Sequence, residues 1–133
     1  MSKIGMKYNE TRDNKTVLVV DDAPLNRKLI RSILAMRKIR VIEAGDAEQA
    51  FELIREQRPD LVLMDLQLPG LNGLEATRVL KSNPGTTDIP VVILSAGSVP
   101  EDDPGMRQAG CAGLILKPFG AEDLLNTVST FLY

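Results

Sequence analysis

Residues 61–73, LVLMDLQLPGLNG, carry the pattern that decides the fold. The first four residues are all apolar, which is typical of a central strand in a parallel sheet that is covered on both faces. The run ends at Asp65, and the proline and glycines that follow predict a loop. A second run of this kind, Val17–Val20, ends at a pair of aspartates. Pro24 then suits the first turn of a helix, because its missing N–H needs no partner there.

On either side of these two runs, short β-branched segments alternate with amphipathic segments of helical length. We predict strands at Val17–Val20, Arg40–Ile42, Leu61–Met64, Ile89–Leu94 and Gly113–Leu116. We predict helices from Pro24, over Ala47–Gln57, over Leu74–Lys81, from near Pro104 with Asp103 as its cap, and over Glu122–Leu132. Five βα units with right-handed crossovers predict an α/β protein with a doubly wound, five-stranded parallel sheet in strand order 2-1-3-4-5.

Each helix is expected to bury one apolar face against this sheet. The positions predicted to point inward are Leu25, Leu29, Ile30, Ile33 and Leu34 in the first helix, Ala50, Phe51 and Ile54 in the second, and Leu124, Leu125, Val128, Phe131 and Leu132 in the last.

The composition predicts one soluble domain and excludes several chemistries. The chain has 133 residues, a net charge of −2 and no histidine, so a histidine-based triad and a histidine-ligated zinc are both excluded. Residues 1–15 are polar and lack an apolar period, which predicts a flexible tail before a folded domain at 16–133. A single cysteine, no signal peptide and no long apolar run favour a cytoplasmic protein that has neither a membrane nor a nucleic acid as partner.

Polar side chains follow four of the predicted strands. Asp21 and Asp22 end the first strand, Asp65 the third, Ser95 the fourth and Lys117 the fifth. Ligands in doubly wound sheets bind at the carboxyl ends of the strands, so these side chains are expected to share one pocket. Two unit charges about 4 Å apart repel by on the order of 4 kcal/mol at an effective dielectric of ~20, so three carboxylates need compensation. Lys117 supplies one positive charge, and Mg²⁺ is the natural candidate to neutralise the remaining two.

This constellation matches the requirements of phosphoryl transfer, in which a nucleophile lies in line and cations contact the equatorial oxygens. We predict that Asp65 takes the phosphoryl group, and that Lys117 and the Ser95 hydroxyl contact its oxygens. Taken one at a time, these residues have ordinary explanations as helix caps, turn residues or solvated lysines. Their common position at strand ends is what favours a functional site.

The sequence resembles the receiver family of two-component signalling, which has the CheY-like, or flavodoxin-like, (βα)5 fold. The resemblance covers Thr16–Tyr133 and rests on VLVVDDAPLNRKL, PDLVLMDLQLPGLNGLE, IPVVILSAG and AGCAGLILKPF.

Several expectations follow from this resemblance. It implies that Asp21 and Asp22 position Mg²⁺, that the Gln67 backbone carbonyl ligates the metal, and that Asp65 accepts phosphate from a partner's phosphohistidine. It also implies a cis peptide before Pro118. The implied partners are a sensor histidine kinase or histidine phosphotransfer protein, and a downstream protein effector that binds the phosphorylated form. The resemblance therefore implies that the protein is not an enzyme and catalyses only its own phosphorylation and dephosphorylation.

Two features depart from the family pattern. The switch residue that acts with Ser95 is usually aromatic and stands three positions before the lysine, where this chain has Leu114. Pro100, Pro104 and Gly105 are expected to shorten or bend the fourth helix, which often forms part of the output surface. Arg27, Lys28 and Arg31 form a basic cluster on the first helix that we expect to be exposed, as a solvated face or, alternatively, as a surface for the histidine-bearing partner.

Other functions stay open at this point. A receiver fold can act as an adaptor that ignores phosphorylation, which phosphate-independent partner binding would show. An aspartate-nucleophile phosphatase of the haloacid dehalogenase type uses similar side chains. Its nucleophile, however, belongs to a D-x-D motif, and this chain has Asp65-Leu66-Gln67 at the corresponding position. Since no segment follows the last helix, we expect a regulator without an output domain, unless the chain is a fragment.

Overall fold

The computed structural model describes residues 15–97 and 104–133. In these two segments five strands alternate with five helices, which confirms the predicted α/β class. The elements are β1 Thr16–Val20, α1 Pro24–Ala35, β2 Arg40–Ala44, α2 Ala47–Glu56, β3 Leu61–Asp65, α3 Gly73–Ser82, β4 Val91–Ser95, α4 Pro104–Ala109, β5 Gly113–Leu116 and α5 Ala121–Leu132.

The strands form one parallel sheet in the order β2-β1-β3-β4-β5, as predicted. The register aligns the carboxyl ends of the strands. Val20 lies beside Met64, Asp65 beside Leu94, and Ser95 beside Leu116. The residues that end β1, β3, β4 and β5 therefore meet at the same edge of the sheet.

Helices cover both faces of the sheet, and this explains the uninterrupted apolar runs. Val17, Val19, Leu61 and Leu63 point to one face, where they pack with residues of α1 and α5. The residues between them point to the other face and pack against α2, α3 and α4. Side chains alternate along a strand, so a strand buried on both faces must be apolar at every position.

The first helix buries less of its apolar surface than predicted. Ile30, Ile33 and Leu34 are buried, whereas Leu25 is 79% and Leu29 50% exposed, so the prediction for these two leucines was wrong. Successive residues of an α-helix are about 100° apart, which turns Leu29 about 100° and Leu25 about 140° away from the buried Ile30. The apolar stripe of α1 is wider than the face that meets the sheet.

The inward faces of α2 and α5 agree better with the predictions. Ala50, Ile54 and the predicted leucines and valine of α5 are buried. Phe51 and Phe131 are only half-buried, and they pack at the margins of the two core clusters.

Some predicted element ends differ by one or two residues. β2 runs on to Ala44, α2 ends one residue earlier than predicted, and β4 begins at Val91 instead of Ile89. Pro90 has no N–H to donate to a neighbouring strand, and the pairing of β4 with β3 accordingly starts at Val91.

Several expectations concern parts of the chain outside the described residues. These are the flexible tail, apart from Lys15, and the effects of Pro100 and the Asp103 cap on the fourth helix. The helix itself is short and begins at Pro104, as predicted. The longest helices of the described segments have 12 residues each, and none of the described helices has the length and apolar character needed to cross a bilayer.

Candidate functional site

The three aspartates that end β1 and β3 lie together, as the sequence predicted. One carboxylate oxygen each of Asp21, Asp22 and Asp65 lies within 4.8 Å of the others. An open cleft of about 380 Å³ is lined by Asp22, Asp65, Gln67 and Lys117, among others. The parallel register produces this convergence, because it brings the ends of neighbouring strands to one edge.

Asp21 is the deepest of the three acids and is fully buried. Its Oδ1 accepts a hydrogen bond from the Ala23 backbone N–H at 2.9 Å. Its Oδ2 accepts two, from the Asn26 amide at 3.2 Å and from the Lys117 ammonium at 3.1 Å. Asp22, by contrast, is exposed at the mouth of the cleft.

Asp65 is 7% exposed, and both of its carboxylate oxygens have a donor. Oδ2 accepts from Lys117 Nζ at 3.2 Å, and Oδ1 from the Gln67 backbone N–H at 3.3 Å. Burial raises the pKa of Asp65, and the neighbouring Asp21 charge adds to this effect. Lys117 acts in the opposite direction without cancelling the rise, so the folded protein holds a proton on Asp65 more tightly than a free aspartate does.

Lys117 bridges two of the acids from the end of β5. Burial alone would lower the pKa of Lys117, but the hydrogen bond to Asp21 and the charges of Asp21 and Asp65 outweigh it, and the pKa is raised. The side chain is therefore an ammonium ion at neutral pH. One ammonium beside three carboxylates leaves two negative charges for a cation to balance.

Ser95 lies at the end of β4, 1% exposed. Its hydroxyl oxygen accepts from the Gly97 backbone N–H at 3.1 Å, and its carbonyl accepts from the Lys117 N–H at 2.8 Å. The second bond fixes the start of the segment that carries Lys117 relative to β4. The peptide bond between Lys117 and Pro118 is cis, which confirms that expectation.

Leu114 lies in β5, half-buried at the margin of the core cluster formed with α2, α3 and α4. It lines a cavity of about 280 Å³ together with Met106, Arg107, Cys111 and Thr127, among others. Its assignment as a switch residue stays a prediction.

The expected basic cluster on α1 is not a free cationic surface. Arg27 donates from Nε to Glu43 of β2 at 3.1 Å, and its side chain is only 20% exposed. Arg31 also pairs with Glu43, while Lys28 remains exposed. Arg27 and Arg31 are one helical turn apart on the side of α1 that faces β2, where a single glutamate meets both. The prediction of three exposed cations was therefore wrong for Arg27.

Two side-chain contacts with Asp21 were not predicted from the sequence. Asn26 hydrogen-bonds the Asp21 carboxylate, and Arg27 Nη1 donates to the Asp21 backbone carbonyl at 2.7 Å. The available signal was their position in the first helical turn, directly after the strand-end acids. Without the angle between β1 and α1, however, this position does not reveal which side chains turn back to Asp21.

The donor set of the cleft fits a hard divalent cation. Carboxylate oxygens at the ends of adjacent strands are the ligands that Mg²⁺ prefers, and the cleft contains more negative than positive charge. The arrangement resembles the metal-binding half of a phosphoryl-transfer site, with Lys117 as the protein's own cation.

Comparison with known proteins agrees with this geometry. The family model of the response regulator receiver domain matches residues 17–129. The polar-differentiation response regulator DivK of Brucella anthropi is 37% identical over 118 residues, which cover 89% of this chain and 96% of DivK.

Solved structures show the same likeness. The chemotaxis response regulator CheY4 of Vibrio cholerae superposes with a TM-score of 0.83 at 25% identity, covering 89% of this chain and 98% of that one. The receiver domain of a Pseudomonas aeruginosa sensor histidine kinase gives 0.80 at 30% identity over 90% of this chain and 98% of that one, and its structure has a magnesium ion coordinated in the active-site cleft. The chain therefore belongs to the response regulator receiver domains of two-component signalling.

Proposed function

We propose that Asp65 accepts a phosphoryl group from the phosphohistidine of a sensor histidine kinase or a histidine phosphotransfer protein, in a reaction that depends on Mg²⁺. The observation that carries this proposal is the cluster itself. Three carboxylates lie within 4.8 Å of one another, and Lys117 Nζ lies 3.1 Å from Asp21 and 3.2 Å from Asp65.

Asp21, Asp22 and Asp65, with the backbone carbonyl of Gln67, would hold the metal. When bound, Mg²⁺ supplies positive charge against the oxygens of the phosphoryl group as it is transferred. The proposal draws support from the donor set and from the negative charge that Lys117 leaves unbalanced.

In the transfer, a carboxylate oxygen of Asp65 attacks phosphorus as the bond from phosphorus to the imidazole nitrogen breaks. The new bond joins oxygen and phosphorus, and the imidazole leaves with the electron pair of the broken bond. Lys117 already lies against Asp65, so its ammonium is placed to contact the phosphoryl oxygens. Ser95 supplies a hydroxyl at the end of the next strand.

Lys117 and Ser95 would also transmit the phosphorylated state. When the ammonium turns from Asp21 and Asp65 to the phosphoryl oxygens, and the Ser95 hydroxyl turns from Gly97, both hydrogen-bond patterns change. A protein effector that binds the rearranged surface would then read the signal, and Leu114 would move with Ser95 as the switch pair. We assign this exchange to the cytoplasm.

The histidine-bearing partner would approach along α1. Leu25 and Leu29 are exposed there, and a groove of about 400 Å³ lined by Leu29, Phe119 and others runs beside Lys117. Apolar side chains without intramolecular cover at the rim of a polar cleft suit a protein partner better than a small molecule.

The test is intact-mass analysis after incubation with acetyl phosphate and Mg²⁺. The wild-type protein should gain the mass of one phosphoryl group, and Asp65→Asn should gain none, because an amide is not nucleophilic enough to replace the carboxylate. Circular dichroism would verify that the variant is folded. Equal labelling of both proteins would contradict the assignment of Asp65.

The alternatives find no support in the site. A phosphatase of the haloacid dehalogenase type needs an acid two residues after its nucleophile, where this chain has Gln67. An adaptor that ignores phosphorylation would have no need for a buried Asp21 and a nearly buried Asp65 bridged by Lys117. Receiver domains are signalling modules, and the only reactions that we assign to this protein are the gain and loss of its own phosphoryl group.

A further inference from the structure

The first turn of α1 and Ala23, the residue that precedes it, contact Asp21 at three points. The Ala23 N–H and the Asn26 amide donate to the two carboxylate oxygens, at 2.9 and 3.2 Å, and Arg27 donates to the backbone carbonyl at 2.7 Å. Asp21 is fully buried, so its carboxylate takes its orientation from these neighbours and from Lys117.

We propose that Asn26 is a positioning residue for the metal-binding acids, an inference that rests on the function proposed above. Its amide fixes the rotation of the Asp21 carboxylate, so that one face of the carboxylate stays turned toward Asp22 and Asp65. Asn26 acts through Asp21 and does not itself contact the metal.

Counting hydrogen bonds shows why a neutral donor is suited to this position. A carboxylate has about four lone-pair sites, and three of those on Asp21 are occupied, by Ala23, Asn26 and Lys117. Asn26 and Lys117 share Oδ2. Once Lys117 turns to a phosphoryl group on Asp65, Asn26 is the side chain that still holds this oxygen, and it leaves the negative charge of Asp21 available to the cation.

The surroundings of Asn26 strengthen this hydrogen bond. The side chain is half-buried and lines the apolar groove beside Lys117, together with Leu29, Ile30 and Phe119 among others. This partial burial removes some of the competing water, so the hydrogen bond from the amide to the carboxylate is stronger than at a fully exposed position.

Residues other than Asn26 anchor α1 to the sheet. Arg27 ties the Asp21 carbonyl to Glu43 of β2, and Ile30, Ile33 and Leu34 pack into the core. Loss of the Asn26 amide should therefore leave the fold intact and act on the orientation of Asp21.

The experiment compares Asn26→Ala and Asn26→Leu with the wild type. The alanine variant removes the donor, and the leucine variant removes it while keeping a side chain of similar size in the groove. Mg²⁺ affinity is measured by isothermal titration calorimetry, and the rate of labelling by acetyl phosphate is measured over a range of Mg²⁺ concentrations.

We expect both variants to need about five to ten times more Mg²⁺ for half-saturation, the equivalent of the net contribution of one ordinary hydrogen bond. The labelling rate at saturating Mg²⁺ should stay within about twofold of wild type, since Asp65 and Lys117 are unchanged. The matched control is Ser32→Ala, which removes a hydrogen bond of 2.9 Å to Lys28 within the same helix and should leave the Mg²⁺ requirement unchanged.

An unchanged Mg²⁺ requirement in both Asn26 variants would overturn the inference, and so would an equal change in Ser32→Ala. A failure of the wild type to bind Mg²⁺ or to take up phosphate would instead overturn the proposed function. A melting temperature measured for each variant separates a change in metal affinity from a loss of fold.

Discussion

At Asp65 the proposed chemistry and the stability of the fold make opposite demands. The carboxylate must be ionised to attack phosphorus, but burial and the neighbouring Asp21 raise its pKa above the ordinary value of 3.8. A raised pKa means that the folded state binds the proton more tightly than the unfolded chain does. The stabilisation that protonated Asp65 contributes is fully present below the pKa of this carboxyl in the unfolded chain. It is lost as the pH rises through the pKa of the same carboxyl in the folded protein. At neutral pH the ionised Asp65 therefore lowers the free energy of unfolding.

This predicts that Asp65→Asn melts at a higher temperature than the wild type at pH 7 without divalent metal. The advantage should disappear as the pH falls below about 3.8, where both proteins carry an uncharged group at this position. The measurement is thermal unfolding by circular dichroism over a series of pH values.

Asp88→Asn is the matched control for this prediction. A hydrogen bond from Arg58 lowers the pKa of the exposed Asp88. Replacing this carboxylate with an amide should therefore slightly lower the stability at pH 7. A lower melting temperature for Asp65→Asn at pH 7 would contradict the account of Asp65.

The same residues show how far the sequence predicts the site. Asp21, Asp65 and Lys117 could be placed together because each ends a strand, and the rule for parallel sheets needs no further detail. Asn26 could not be assigned, since its partner depends on how far α1 is rotated about its axis relative to β1. The same rotation exposes Leu25, whose apolar character alone predicted burial.

On the scale of elements, the start of α3 is packed tightly against the strand that carries Asp65. A Cβ atom on Gly73 would lie 2.3 Å from the Asp65 carbonyl oxygen, and the Gly73 N–H donates to the Leu66 carbonyl at 2.9 Å. A capping box between Asn72 and Glu75 fixes the first turn of the helix. Gly73 is therefore required by the close approach of two backbone segments, and the approach holds the loop that follows Asp65.

We predict that Gly73→Ala lowers the free energy of unfolding by roughly 1 to 3 kcal/mol, the usual cost of forcing an extra methyl group into a packed site. The measurement is urea denaturation at constant pH.

The matched control for this substitution is Gly45→Ala. A Cβ on Gly45 would lie 3.5 Å from its nearest neighbour, the Gln49 side chain, so the change should be small. Equal effects of the two substitutions would show that the contact at Asp65 is not the cause.

Element boundaries were less predictable than the elements themselves. Ile89 continues the apolar run of β4, and the run predicted a strand two residues too early, because pairing starts only after Pro90. The start of α4 at Pro104 was predictable because proline favours the first turn of a helix.

At the scale of the whole molecule, the sheet divides the core into two clusters and leaves the strand ends as the place where polar groups collect. The class and strand order followed from the alternation of strands and helices together with general topological rules. The three clustered aspartates lie at the ends of β1 and β3, which are neighbours only in the folded chain. The cluster therefore does not exist in the unfolded state, and any cation that it binds stabilises the native fold.

This linkage gives a prediction for the protein as a whole. A ligand that binds only the native state adds about 2.7 kcal/mol of stability at one hundred times its dissociation constant, so Mg²⁺ at that excess should raise the melting temperature by several degrees. The double variant Asp21→Asn with Asp22→Asn should lose this response, because two of the three carboxylates of the cluster are gone. Sodium chloride at matched ionic strength separates specific binding from charge screening. An equal rise with sodium chloride, or in the double variant, would show that the stabilisation arises outside the cluster.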